Sequence, residues 1–173
     1  MTRMIARIAT IVALSTLVTG CNLRPLYAGG TSGVVASELG NVEIEPIAGK
    51  AGWLTRNALK DQLEAFEGEQ SKYRLIVVLE DKIAGFGVRS NTRITRERRS
   101  LRARYQLVRL SDSVVVLDAT AGSDAGIDVV SSEYATLAAE DTALENLATR
   151  VANQIITRLS LYARTEASAS PNP

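Results

Sequence analysis

From Ser100 to Leu107 the chain alternates without a break: Leu101, Ala103, Tyr105 and Leu107 are apolar, and Arg102, Arg104 and Gln106 between them are charged or polar. Successive side chains of a strand point to opposite faces, so this period of two specifies a strand with one buried and one wet side. A sheet built around it needs cover on one face only. The β pattern extends from about Thr92 to Leu110. Ser111-Asp112-Ser113 then reads as a tight turn, and Val114 to Thr120 as the returning strand of a hairpin.

Upstream, Tyr73 to Glu80 is rich in β-branched and aromatic residues, with odd positions apolar and even positions mixed, which suits an interior place in the sheet. Gly85 and Gly87 predict a bend, a bulge or the end of that strand. Asn41 to Pro46 alternates apolar and acidic residues and predicts a short first strand closed by the proline. Between these, Leu54, Ala58, Leu59, Leu63 and Phe66 have the spacing of an amphipathic helix running from Trp53 to about Phe66, with Gly68 as its stop. The last element follows Ser131-Ser132: Leu137, Leu144, Leu147, Val151, Ile155, Leu159 and Tyr162 form one helical stripe, with acids early and arginines late. The predicted order is β-α-β-β-β-α. It implies an α+β fold, a four-stranded mixed sheet with two helices packed on one face. The first strand, joined through a helix, pairs in parallel, and the last three run as a meander.

The N-terminus carries a different signal. Arg3 and Arg7 precede an uncharged run from Ile8 to Val18, and small residues lead to Cys21, the only cysteine. This is the layout of a secretory signal, too short to span a bilayer as a helix. A cysteine in that place resembles a bacterial lipobox, which predicts a signal peptide over 1–20 and acylation of Cys21. Asn22, not aspartate, follows it, as in sorting to the outer membrane. Residues 21–40 read as a Pro/Gly tether, 41–163 as the domain, and 164–173 as a disordered polar tail.

Composition argues against several functions. There is no histidine, which removes the commonest general base and metal ligand. The four lysines, Lys50, Lys60, Lys72 and Lys82, stand in no catalytic motif, and no metal-ligand spacing occurs. The acids Glu43/Glu45 and Glu140/Asp141/Glu145 read as solvated faces. No enzyme is expected, and no cofactor other than the covalent lipid on Cys21. With 20 Lys and Arg against 19 Asp and Glu the chain is nearly neutral, and with the export signal this argues against nucleic acid as a partner.

Arginine density stands above this background. Eight arginines, from Arg89 to Arg109, fall within 21 residues, opposed there only by Glu97. Arg96, Arg98, Arg102 and Arg104 share strand parity and therefore one face, opposite Leu101, Ala103, Tyr105 and Leu107. A row of guanidinium forks suits phosphate or carboxylate groups, which makes these four the candidate ligand-binding residues. The same row is equally consistent with a solubilising face, or with pairing to acids across the hairpin such as Asp118 and Asp124.

Cys21-Asn22-Leu23-Arg24-Pro25-Leu26-Tyr27 resembles the start of mature LptE-type lipoproteins of alphaproteobacteria. The strand Ile94 to Leu107 and the final helix from Glu133 to Leu161 are similar to that family as well. The resemblance implies a lipid-anchored, periplasm-facing lipoprotein of the outer membrane that sits as a plug in the β-barrel LptD. There it helps place lipopolysaccharide in the outer leaflet and binds that glycolipid non-covalently through basic residues. The residues by themselves leave open an interaction module of another envelope transport or wall-maintenance complex.

Overall fold

The computed structural model describes residues 39, 42–63, 71–88 and 94–169. Its elements are β1 (Glu43–Ile44), α1 (Gly49–Leu63), β2 (Tyr73–Val88), β3 (Ile94–Arg109), β4 (Val115–Asp128) and α2 (Glu133–Ala169). The strands form one sheet in the order β1-β2-β3-β4. β1 runs parallel to β2, and the pairs β2–β3 and β3–β4 are antiparallel. This is the expected α+β arrangement, with both helices on one face.

The core follows strand parity. Tyr73, Leu75, Val77, Leu101, Ala103, Tyr105 and Leu107 are buried and face Leu144, Leu147, Val151, Ile155 and Leu159 of α2. α1 closes the β1 side with Leu59 and Leu63. Arg56 of α1 donates to the Ile44 carbonyl, and Lys50 reaches Asp141 of α2 at 2.7 Å. Tyr73 and Tyr162 meet edge to face, ring centres 6.2 Å apart. The Ser132 hydroxyl accepts from the Ala135 amide and caps α2.

Several boundaries differ from the sequence expectation. Only Glu43 and Ile44 pair as a strand, because Pro46 removes a donor and the chain turns into α1 soon afterwards. α1 begins at Gly49, four residues before Trp53. Gly49 takes φ 78°, and a side chain at Gly52 would place its Cβ 2.4 Å from the Ile47 carbonyl oxygen, so this entry requires a glycine. Phe66 and Gly68 lie outside the described residues. β2 does not end at Gly85 but continues to Val88, since β3 supplies partners along its length, Gly85 opposite Glu97 and Val88 opposite Ile94. β4 likewise runs eight residues past Thr120. Leu137, assigned to the core stripe, is 52% exposed, because it lies in the first turns of α2, ahead of the helix's first buried residue, Ala143.

The tail is also corrected. α2 continues through residues 164–169, where a disordered segment is expected. Arg164, Glu166 and Ala167 are good helix formers, and the Thr165 and Ser168 hydroxyls bond back to the carbonyls of Leu161 and Arg164. Among the described residues no helix is long and apolar enough to cross a membrane.

Candidate functional site

The face of the sheet turned away from the helices is where β2, β3 and β4 present their even-numbered side chains. Arg96, Arg98, Arg102 and Arg104 all stand on it, as parity requires. Cys21 and the rest of residues 21–38 lie outside the described residues; Leu39, read as part of the tether, is instead fully buried in the core, because its apolar side chain packs into the cluster beneath the sheet.

Three of the four arginines are engaged with aspartates of β4. Register places Arg96 opposite Asp128, Ser100 opposite Asp124 and Gln106 opposite Asp118. The Arg96 Nε donates to Asp128 at 2.9 Å. Arg102 meets Asp124 through one nitrogen at 2.8 and 3.0 Å and donates to the Ser123 carbonyl at 2.9 Å. Arg104 grips Asp118 with two nitrogens, at 3.2 and 2.9 Å, and Gln106 adds a third donor to that carboxylate. Arg98 differs. Its guanidinium lies 5.3 Å from the centre of the Phe86 ring, and among the described residues no carboxylate pairs with it.

The aspartates carry the imprint of this pairing. Hydrogen bonds from Arg104 and then Gln106 hold the Asp118 carboxyl below its ordinary range. Asp124 is lowered by the Ser100 hydroxyl first and by Arg102 second. Both carboxylates are exposed, so these are screened, modest interactions and not buried ion pairs. The remaining charges on this face are also matched: Arg74 meets Glu43 and Glu45, and Lys82 meets Glu80.

An open depression of about 670 Å³ crosses the sheet here, lined among others by Val78, Glu80, Arg102, Arg104, Thr120 and Gly122. Val78, 67% exposed, is an apolar patch between the charged rows. Gly122 shapes the depression: a Cβ there would lie 2.5 Å from Arg102 Cδ, so the arginine stem crosses β4 where no side chain blocks it. The chemical character is amphipathic, with guanidinium forks around a small apolar floor.

Two features escaped the sequence reading. Asp128 is the partner of Arg96, and counting along the hairpin register from Asp118 and Asp124 would have found it. Arg99 has odd parity and belongs to the helix face. It is 9% exposed, forms a two-point bond with Asp81 at 2.9 and 2.6 Å, and donates to the Glu140 carbonyl at 2.8 Å. It pins the distal sheet to α2 and takes no part in the open face.

No curated protein sequence matches the chain. In fold it is similar to a putative lipoprotein from Caulobacter crescentus, at 20% identity and a TM-score of 0.60, covering 79% of this chain and 97% of that one. It is similar to an uncharacterized lipoprotein B from Nitrosomonas europaea, at 14% identity and TM-score 0.57, covering 90% and 99%. It also resembles the rare lipoprotein B from Shewanella oneidensis, at 8% identity and TM-score 0.56, covering 74% and 97%. At these identities the likeness establishes the fold. The model of the family LptE: Lipopolysaccharide-assembly matches residues 39–159, from the buried Leu39, four residues ahead of β1, to the buried Leu159 of α2. The sheet with its open arginine face, α1 and α2 as far as Leu159 fall inside that match, and the chain belongs to the LptE family of lipopolysaccharide assembly.

Proposed function

We propose that this chain is an outer-membrane lipoprotein, acylated at Cys21, that works without catalysis as a scaffold in a complex with an LptD-type β-barrel and contacts lipopolysaccharide phosphates through the open sheet face. Family membership supports the role in lipopolysaccharide assembly. The observation that carries the site is Arg98, a cation resting on Phe86 that feels the charge of Asp124 but has no carboxylate within ion-pair distance among the described residues. It stands on the same sheet face as the amphipathic depression, four residues along β3 from Arg102 in its lining. Arg104 spends Nε and one terminal nitrogen on Asp118, leaving the N–H groups of its other nitrogen for a phosphate oxygen. A phosphate docks there by adding to the forks or by displacing aspartates whose ion pairs are exposed and weakly held. The exposed Val78 offers an apolar surface to an acyl chain or to the face of a sugar ring.

The test has two arms. A tag on the full chain, purified gently from membranes, brings down a large barrel protein; recovery of this chain alone counts against the scaffold role. Arg98→Ala, and separately Arg102→Glu with Arg104→Glu, weaken lipopolysaccharide binding while the thermal transition is preserved. Unchanged binding would make the face structural. The pairing of Arg96, Arg102 and Arg104 with aspartates favours a second reading, in which the row serves to fix hairpin register and the chain is an interaction module of another envelope complex. Normal surface lipopolysaccharide after depletion would select it.

A further inference from the structure

The outer edge of β4 has an unusual neighbour. The Gln154 side chain of α2 donates to the Gly122 carbonyl at 3.2 Å and accepts from the Gly122 amide at 3.0 Å. A side-chain amide therefore makes the two bonds that an adjoining strand would make. It also fixes the orientation of the edge. N–H and C=O groups of alternate residues point to alternate sides of an antiparallel strand, so Asp118, Thr120, Asp124, Gly126 and Asp128 point outward as Gly122 does. Among the described residues no strand pairs with that edge.

Beside it, between β4 and α2, runs an open groove of about 660 Å³. Its floor is Tyr105, Ala119 and Leu161, and its wall is Asn153, Thr157 and Arg158. Arg158 is exposed, acts on Tyr105 through its charge, and has no carboxylate partner among the described residues. Unpaired backbone, an apolar floor and an unanswered cation lie together.

We propose that this groove docks an extended segment of a partner protein as an added strand. The strand pairs with the backbone of Asp118 and Thr120, lays an apolar side chain on Tyr105 and Leu161, and presents an acidic side chain to Arg158. The backbone pattern selects a polypeptide over a lipid, because only another chain repeats donor and acceptor at strand spacing. Chemistry selects against a second copy of this chain paired through the same edge: the helix-facing positions of β4, Leu117, Ala119, Ala121, Ser123, Ala125 and Ile127, carry no acid to answer Arg158. The proposal goes beyond the lipopolysaccharide reading and uses a different surface, so either stands or falls without the other.

A photocrosslinking residue placed at Thr157 or Leu161 in the full-length chain, in living cells, tests it, with mass spectrometry of the crosslinked peptides. The expected result is attachment to one segment of one partner polypeptide, at residues spaced by two, with an Asp or Glu in that segment. Thr120→Pro removes only an outward amide, which an edge position tolerates, and Arg158→Glu reverses the free charge. Each is expected to lower the crosslink yield about ten-fold, the loss of roughly one charge-assisted or backbone bond pair, with the thermal transition unchanged. Crosslinks to lipid only, to this chain itself or to nothing overturn the proposal. So do protein crosslinks without the two-residue spacing, or crosslinks indifferent to both substitutions in variants that melt normally.

Discussion

Arg99→Met removes one charge while keeping most of the side chain's length, and the structure sets its expected effect. Arg99 gives up a two-point bond to Asp81 and a bond to the Glu140 carbonyl. Breaking a fully buried pair by removing one partner costs about 3–5 kcal/mol, whereas an exposed pair is worth about 0–1 kcal/mol. The side chains here are 11% and 25% exposed, nearer the buried case, but Asp81 regains some water. The Glu140 carbonyl retains its helical surroundings, so its loss adds little. The expected destabilisation is about 2–3 kcal/mol, a fall in Tm of about 5–10 °C for a chain of this size. Urea and thermal unfolding followed by far-ultraviolet circular dichroism measure it. Because most of the cost is a carboxylate left without its cation, Arg99→Met combined with Asp81→Leu is expected to be more stable than Arg99→Met alone by about 1 kcal/mol. A loss below about 0.5 kcal/mol for Arg99→Met, or strict additivity in the double variant, would refute the view that this pair ties the distal sheet to α2.

Other perturbations address the helix entry, the core and the open face. Gly52→Ala drives a Cβ into the Ile47 carbonyl and is expected to cost about 1–3 kcal/mol in the same unfolding assays. Leu147→Ala, in the fully buried stripe of α2, is expected to cost about 3 kcal/mol. Gly122→Ala displaces Arg102 from Asp124, which a rise of the Asp124 carboxyl pKa in an NMR titration would report. Asp118 and Asp124 have folded values below their unfolded ones, so their contribution is present above about pH 4 and is lost as pH falls through the lowered folded values. Asp118→Asn is therefore expected to flatten the acid limb of the stability profile, and an unchanged limb would contradict the assignment.

Parity made much of this fold readable. Leu101, Ala103, Tyr105 and Leu107 point one way and Arg102 and Arg104 the other because a strand has period two, whatever surrounds it. The α2 stripe from Leu144 to Tyr162 was legible for the equivalent reason. What misled were features that depend on a neighbour. Gly85 and Gly87 look like punctuation until β3 supplies a ladder across from them. Leu137 fits the helical period yet stays exposed, because it precedes the stretch of α2 where burial begins. At the site, the arginine row was visible in the sequence but its neutralisation was only half visible. Asp118 and Asp124 were foreseeable as partners, whereas Asp128 depends on β4 continuing to full length. Arg98 lacks an ion-paired acid because the register sets Gly126 opposite it on β4, while Phe86 of β2 meets its guanidinium. Arg158 gave no signal, since an exposed helical arginine becomes notable only when it borders an open strand edge.

The matched lengths of β3 and α2 have a mechanical consequence. Sixteen strand residues span about 54 Å and 37 helical residues about 55 Å, so the longest strand and the longest helix are the same length. They pack along one face as a spar in which the buried stretch of α2 runs from Ala143 to Ala163, and each element is longer than the hydrocarbon thickness of a bilayer, about 30 Å. A load applied at the 110–114 turn passes first through the register shift at Leu107/Val108, where the β3–β4 ladder is irregular, and then along the stretch where Leu101 to Leu107 and Leu144 to Leu159 share one core. Lengthening the spar requires paired insertions, about two helical residues for each strand residue, so its length is set by two separate stretches of sequence changing together.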